Sequence, residues 1–395
     1  MKHSTVVFCG GGSGGHLAPA IAIIQQLREL QPDVQCVVFC SERAVDRRML
    51  ETASSQLPGL LWHPVVRIPR GAFPKRLIVG LLEFFRSRRQ LLSWFRQLQP
   101  AVVVGLGAFA SVPGILAARR LGIPTVLLEA NTIPGRATRG VATRGDCLFT
   151  GLPLSEVWPH KLRTEVIPCG VPVRSEVAAI AQRPLSPSAD RRTLLVIGGS
   201  QGSARLNMLV QEALRGGSPL PADWTILHQA GSSDVEKLSA FYRSAHLPAE
   251  VVDFLPNLPQ ILSETGLCVS RAGAVTLAEL ACAAIPAILV PLSTAADGHQ
   301  QHNADFMAAT GAAAVVDETT STTVAAARLR TLLQELSHSP TRRREMASAA
   351  RSTARPDAAF VIANHLQRIV SASAVATPRG TSSCAGDLAH SSGTE

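Results

Sequence analysis

Aromatic residues make up only 4% of this 395-residue chain, and there is a single tyrosine. A core built from it must rest on Leu, Val, Ile and Ala instead. At 46% hydrophobic, the chain has enough of these for two domains of ordinary size. The same figure excludes disorder as a description of the whole chain. No run of 18 apolar residues occurs, so no transmembrane helix is expected. The apolar run near the start, Thr5 to Cys9, is too short for a signal peptide. None of the eight cysteines forms a CxxC pair or a Cys/His metal spacing, and they read as small buried hydrophobes of a reducing compartment. HExxH is missing and acids are too sparse for a metal site. The GxxxxGK[ST] loop is missing too, which weakens an ATPase reading.

Acids are also outnumbered: 29 Asp and Glu against 38 Lys and Arg leave a net charge of +9. The excess is local. Between Arg67 and Arg96 eight Lys or Arg residues stand against one Glu. Such a patch suits a nucleic-acid backbone, an anionic membrane or a phosphate-bearing substrate. No DNA or RNA recognition motif accompanies it, so no nucleic acid is expected as a partner.

What the chain does contain is a repeated pattern. Thr5 to Cys9 reads as a buried strand, Gly10 to Gly15 as a glycine loop, Leu17 to Leu30 as a helix and Val34 to Cys40 as a second strand. That order opens an open α/β domain. Further strands are expected at 101–104, 124–129, 147–149 and 165–167. The stretch 181–192, rich in Pro, Ser and charge, reads as a linker. The pattern then recurs: strand Thr193 to Ile197, glycine loop Gly198 to Gly202, and a helix from about Ala204, with strands at 224–228, 250–254, 266–270 and 286–291. The expected architecture is therefore α/β: one domain over 1–180, a linker over 181–192, and a second domain over 193–370. The last helix has room to pack back on the first domain. Residues 371–395 lack an apolar run and are expected to be disordered.

The glycine loops let the backbone turn sharply between strand and helix, and free amides at a helix start favour a phosphate. A tight turn alone is the bland alternative. His16 adds chemistry: it follows the glycines in the first helical turn, and an imidazole ionising near neutrality can accept a proton from a sugar hydroxyl. It can also serve only to cap the loop. Ser200 and Gln201 would add polar contacts to phosphate in the second loop. In Ser270-Arg-Ala-Gly-Ala-Val-Thr-Leu-Ala-Glu279 the only acid of an apolar helix is Glu279, suited to accept both ribose hydroxyls, as an acid does in dinucleotide folds. A solvated helix residue is the bland alternative. The loop Asp297 to Asn303 is crowded with polar side chains suited to sugar hydroxyls.

Taken in order, these segments carry a resemblance. They are GGGSGGHLAPAIAI at 10–23, VVGLGAFASVPGILAA at 103–118, LLEAN at 127–131, CGVPVR at 169–174, VIGGSQGSARLN at 196–207, SRAGAVTLAEL at 270–280 and the Asp297–Ala304 loop. Over about residues 4 to 370 the chain resembles the family of UDP-N-acetylglucosamine–N-acetylmuramyl-(pentapeptide) pyrophosphoryl-undecaprenol N-acetylglucosamine transferases. The resemblance implies two Rossmann-like domains facing across a cleft, the GT-B type of an inverting nucleotide-sugar glycosyltransferase. It implies UDP-N-acetylglucosamine as donor and an undecaprenyl-linked muramyl pentapeptide as acceptor. By position, His16 matches the family's proposed catalytic histidine. Ser13, Gly14 and Gly15 fall at the acceptor diphosphate, and Asn131 on the acceptor side of the cleft. Arg174, Ser200, Gln201, Phe254, Arg271, Glu279 and Gln300 fall on the donor side, Glu279 at the ribose, Gln300 at the sugar, Phe254 and Arg271 near the uracil. The chain departs from the family at Ala108, Ala130 and Val171, which bears on acceptor geometry and not on reaction class.

The implied chemistry is in-line attack of the muramyl 4-hydroxyl on the anomeric carbon, with UDP leaving. No cofactor is required by it, and a loosely bound divalent cation is compatible with it. The rival readings are another nucleotide-sugar glycolipid transferase, a sugar 2-epimerase on the same scaffold, and a noncatalytic nucleotide- or lipid-binding protein. An acceptor with an undecaprenyl tail also implies a peripheral position at the cytoplasmic face of the membrane, beside other cell-wall synthesis proteins. The segment 67–98 suits that position: Ile68, Ala72 and Phe73 stand beside Arg70, Lys75 and Arg76, ahead of a helix that mixes Leu, Phe and Arg.

Overall fold

The strands of this chain are near-continuous apolar runs, such as Val-Val-Phe-Cys and Val-Val-Val-Gly, with no polar alternation. That composition suits strands covered by helices on both faces, and the computed structural model has them so. It describes residues 4–12, 14–66, 75–142, 147–155, 164–184, 191–199, 202–255 and 257–376.

The first half runs β1 (Thr5–Cys9), α1 (Gly14–Leu30), β2 (Gln35–Ser41), α2 (Ala44–Gln56), β3 (Leu61–Val66) and α3 (Lys75–Leu98). It continues with β4 (Val102–Gly105), α4 (Ala108–Arg120), β5 (Thr125–Glu129), α5 (Arg136–Ala142), β6 (Cys147–Thr150) and β7 (Glu165–Pro168). Its strands form one parallel sheet in the order β3-β2-β1-β4-β5-β6-β7. The second half runs α6 (Ser175–Ala181), β8 (Thr193–Ile197), α7 (Ala204–Leu214), β9 (Thr225–Gln229), α8 (Val235–Ser244), β10 (Ala249–Val252) and α9 (Leu258–Glu264). It continues with β11 (Thr265–Ser270), α10 (Ala274–Ala283), β12 (Ala287–Leu289), α11 (His299–Ala309), β13 (Ala313–Val315), α12 (Thr322–His338), α13 (Pro340–Thr353) and α14 (Ala358–Ala376). Its sheet, also parallel, has the order β10-β9-β8-β11-β12-β13.

In both sheets the strand order reverses beside the first strand of the half, between β1 and β4 and between β8 and β11. Loops leaving the carboxyl ends of two such strands diverge to opposite faces and open a crevice, where open α/β sheets bind ligands. The two glycine loops leave β1 and β8. Sequence position therefore dictates that each half aims its glycine loop at its own crevice.

Two features differ from the expected layout. Val171, Val173, Val177 and Ile180 already pack in the second half's core, so the chain changes core near residue 171, ahead of the boundary at 180. The cause is an apolar face on α6 that fits α9 and α10. In the other direction α14 lays Ile362, Ala363, Leu366 and Val370 into the first half's core against α1. This helix runs to Ala376, into the stretch from Ser371 expected to lack structure, because Ala-rich sequence continues a helix without apolar anchors. The rest of the tail, 377–395, lies outside the described residues. Strands β3 and β13 were not apparent in the sequence. Pro64 confines β3 to the sheet edge, and β13 has only three residues.

Candidate active site

The two crevices face one another and form one cleft of about 1760 Å³, lined from both halves. From the first half come Gly14, Gly15 and His16, and from β5 onward Glu129, Ala130 and Asn131. From the second come Gly198, Gly199, Phe254, Arg271, Glu279 and Gln300, with Arg174 from the crossover. Ser13, Ser200 and Gln201 lie outside the described residues.

His16 sits at the third residue of α1, half-buried, with its ring beside Gly107. A Cβ on Gly107 would stand 3.5 Å from His16 Cδ2, and φ of +81° there already favours glycine. The imidazole is pushed below its ordinary ionisation range, first by burial. Glu129 and then Asp46 act in the opposite sense, and His299 adds to the lowering. A neutral imidazole of that kind can accept a proton. Pro19, inside α1, cannot donate to the Gly15 carbonyl four residues back, and Gly15 is exposed at the cleft.

Asn131 is held rather than loose. Glu129, buried at the end of β5, accepts from Asn131 N–H at 3.1 Å and from its Nδ2 at 3.0 Å, and from Gly135 N–H at 3.0 Å. Asn131 Oδ1 in turn accepts from Nδ2 of Asn303, on α11 of the other half, at 3.0 Å. Ala130 turns its carbonyl to Leu152 N–H and packs against Gly151.

On the facing wall Glu279 is buried on α10, where Arg174 acts on it as an opposing charge. Burial pushes its carboxyl up to about 7, and Arg174 pulls the other way. Arg174 is half-buried at the start of α6. Gln300 lines the cleft with its carbonyl oxygen already accepting from Ala272 N–H at 3.2 Å and Leu292 N–H at 2.9 Å, so its NH2 is the part suited to a ligand. Phe254 is 40% exposed and carries the Arg48 guanidinium over its face at 4.9 Å, a contact across the cleft from α2.

Arg271 lines the cleft with most of its donors turned inward. It is buried, and its Nη1 donates to Val290 carbonyl at 2.9 Å and pairs with Glu318 at 2.6 Å, while Nε and Nη2 both reach Ser203 Oγ. Four of its five N–H groups are engaged inside the protein. It ties the loops after β8, β11 and β12 together beneath the cleft, with little left to offer a base.

The sequence reading missed the residues that hold the site. Asp46, Glu318 and Asn303 are fully or nearly buried polar side chains with several partners each. Asp297 pairs with Arg136 at 3.0 Å and with Arg139, from the opposite half. Only Asn303 and Asp297 stood in a segment already singled out, the polar loop. Asp46 is one acid among the charges of α2, and nothing in spacing marks it. Among the described residues no three His, Cys, Asp or Glu side chains cluster in a way that would hold a metal ion.

Comparison with known proteins fits this geometry. Residues 6–149 match the glycosyltransferase family 28 N-terminal domain, and residues 193–362 its C-terminal domain. An Azotobacter vinelandii protein named UDP-N-acetylglucosamine–N-acetylmuramyl-(pentapeptide) pyrophosphoryl-undecaprenol N-acetylglucosamine transferase is 35% identical over 359 residues, 90% of this chain and 96% of its own. The protein of the same name from Pseudomonas paraeruginosa is 36% identical over 355 residues, 89% of this chain and 95% of its own. The crystal structure of Acinetobacter baumannii MurG covers 92% of this chain and 99% of that chain with a TM-score of 0.70 at 27% identity. A UDP-glucosyltransferase from Polygonum tinctorium, at 14% identity and a TM-score of 0.66 over 92% of this chain and 99% of that chain, shares the fold alone.

Proposed function

The chain belongs to the family 28 glycosyltransferases, with the UDP-N-acetylglucosamine–N-acetylmuramyl-(pentapeptide) pyrophosphoryl-undecaprenol N-acetylglucosamine transferases, and on that premise we propose the reaction its cleft performs. It transfers N-acetylglucosamine from UDP-N-acetylglucosamine to the muramyl 4-hydroxyl of the undecaprenyl-pyrophosphoryl muramoyl pentapeptide, with inversion. The observation that carries this is one cleft with two unlike walls: His16 and Asn131 on one, Arg174, Glu279 and Gln300 on the other.

His16 takes the proton of the attacking hydroxyl, and its neutral, half-buried imidazole supports that role. Asn131, fixed by Glu129 and Asn303, orients the acceptor sugar. Gly14 and Gly15, at the start of α1, offer backbone amides to the acceptor diphosphate. On the donor side Glu279 accepts the ribose hydroxyls, Phe254 flanks the base, Gln300 meets the sugar, and Arg174 stabilises the departing diphosphate. No resident cofactor is needed in this scheme, and a divalent cation riding on the diphosphate would arrive with the donor.

The same reading puts the protein at an anionic membrane surface, held peripherally through α3. No helix among the described residues is long and apolar enough to cross a membrane. The C-terminal half of α3 buries Leu91 and Phe95, but its N-terminal half leaves Ile78, Leu82 and Phe85 61%, 65% and 54% exposed, with Arg86 nearby. Phe84 touches Phe109, which lines the cleft, so the apolar strip is continuous with the acceptor side. Ile68, Ala72 and Phe73 lie outside the described residues.

The test is product analysis with UDP-N-acetylglucosamine and a lipid-linked muramyl acceptor. One added N-acetylhexosamine per acceptor, with stoichiometric UDP, is expected. UDP release without acceptor modification, or epimerised UDP-sugar, would sink the reading.

A further inference from the structure

One buried carboxylate under the first glycine loop has no part in the transfer scheme. Asp46, in the first turn of α2, is fully buried. Its Oδ2 accepts from Gly12 N–H at 2.6 Å, from the Ser41 hydroxyl at 2.5 Å and from Ser41 N–H at 3.3 Å. Its Oδ1 is buried and has no hydrogen-bond partner among the described residues. Arg43 donates Nη1 to the Gly12 carbonyl at 2.8 Å, so Gly12 is held by both its N–H and its carbonyl. Gly11, at φ +135°, passes so close that a Cβ there would lie 2.3 Å from Asp46 Oδ2. A buried carboxylate carries a desolvation cost that its hydrogen bonds only partly offset, and this one sits where a loop for anions would be expected to avoid negative charge.

The placement bears on His16, four residues after Gly12. The charged and titratable groups acting on the His16 ring are Glu129 from β5, Asp46 from α2 and His299 from α11. The two carboxylates favour a proton on the ring, and the second histidine opposes it. We infer that Asp46 is a positioning residue for His16: it locks Gly12 so that α1 starts with the imidazole turned to the cleft, and its negative charge favours the proton that the ring gains. The inference rests on His16 being the base. It has a second consequence. With Gly12 N–H already donated to Asp46, the acceptor diphosphate is left with the amides at the start of α1, and the loop works mainly as a mount for the histidine.

Asp46→Asn keeps the shape and removes the charge. The experiment measures kcat against pH with a soluble short-chain acceptor, UDP affinity, and the NMR titration of the His16 ring, its signal assigned by its loss in His16→Ala. Expected are a His16 ring that titrates at lower pH, an acidic limb of kcat displaced the same way, a kcat at neutral pH down about 10-fold, and UDP affinity within about twofold, since UDP binds the other half. A His16 titration and acidic limb like the parent's overturn the inference, and so does a loss of UDP affinity as large as the loss of kcat, which marks a general structural role. Arg43→Gln frees the Gly12 carbonyl and leaves the carboxylate. It is expected to lower kcat with the His16 titration in place, and a parental kcat there removes the loop-holding half of the inference. Failure of the underlying reading looks different: His16→Ala would keep parental turnover, whatever the ring's titration does in Asp46→Asn.

Discussion

Glu279, proposed to hold the ribose, shows how a residue placed for binding can work against its own fold. Its carboxyl is raised from an ordinary 4.5 to about 7, mainly by burial. Between those values the folded protein binds more protons than the unfolded chain, so stability falls as pH rises through the window, and the deficit persists above 7. At 1.36 kcal/mol per pKa unit this is on the order of 3 kcal/mol at most. Glu279→Gln should therefore raise the melting temperature of the free protein at pH 8. The same change should weaken UDP about 10- to 100-fold, since a charged acceptor for two hydroxyls is lost. Discrimination against 2′-deoxy-UDP should vanish, and the parent's UDP affinity should drop as pH falls below about 7. A variant that still discriminates between the two nucleotides would remove Glu279 from the ribose. Ala108 offers a second test at this scale. Its φ of +57° is in the left-handed region, at the start of α4 beside the cleft. Ala108→Gly should stabilise the protein by roughly 1 kcal/mol, and an unchanged or lowered denaturation midpoint would contradict the strain.

At the scale of elements, α3 is divided between two environments. Leu91 and Phe95 are fixed in the core, whereas Ile78, Leu82 and Phe85, at spacings of four and three, form a stripe in solvent. Replacing all three with Ser touches no core contact and should change stability little. It should, however, reduce sedimentation with anionic vesicles and slow turnover of membrane-embedded acceptor, while a short-chain acceptor is used as before. Attraction of about 1 kcal/mol per basic residue near such a surface makes the attachment reversible and salt-sensitive. Vesicle binding equal to the parent's would show that α3 is not the docking face. Helical spacing made α3 legible in the sequence, but not which half of it is buried, because burial depends on which neighbours the sheet supplies. The strands behave the same way. Long β-branched runs such as β1, β4 and β8 announced themselves, while β3, with Pro64, and β13, with three small residues, did not. Of the site, Glu279 was legible as the only acid in an apolar helix and His16 as the residue after a glycine pair. The partners of Arg271, namely Ser203, Val290 and Glu318, were not legible, because they come from three separate segments that only the folded chain assembles.

The two halves are joined in the molecule by contacts of different strength. Asp297 pairs with Arg136 and Arg139 at the cleft rim, where water and salt screen the charges. Its carboxyl is held below the ordinary range, first by the Arg136 hydrogen bond, so the pairing is intact at neutral pH and is lost only as pH falls through that lowered value. Arg48 over Phe254 is a similar rim contact, on a ring suited to flank a base, so the donor itself would compete for it. Asn303 is different in kind. It is fully buried, and its side chain accepts from Thr132 N–H at 3.1 Å and Thr132 Oγ1 at 3.3 Å, and donates to Asn131 Oδ1 at 3.0 Å and Ala272 carbonyl at 3.1 Å. One amide thus joins the β5 loop of the first half to the β11 loop of the second and fixes Asn131 on the way. Asn303→Ala leaves a buried N–H and a buried carbonyl without partners, at about 1–3 kcal/mol for each. The halves should then separate more readily. Solution scattering should give a larger radius of gyration for the variant, and UDP should bind within a fewfold of the parent because Arg174 and Glu279 are carried by α6 and α10, which pack in the second half's core. Turnover should fall far more than donor affinity, since the proposed base on one wall and the proposed sugar site on the other meet only in the closed cleft. Parental kcat together with an unchanged radius of gyration would show that closure does not depend on this residue.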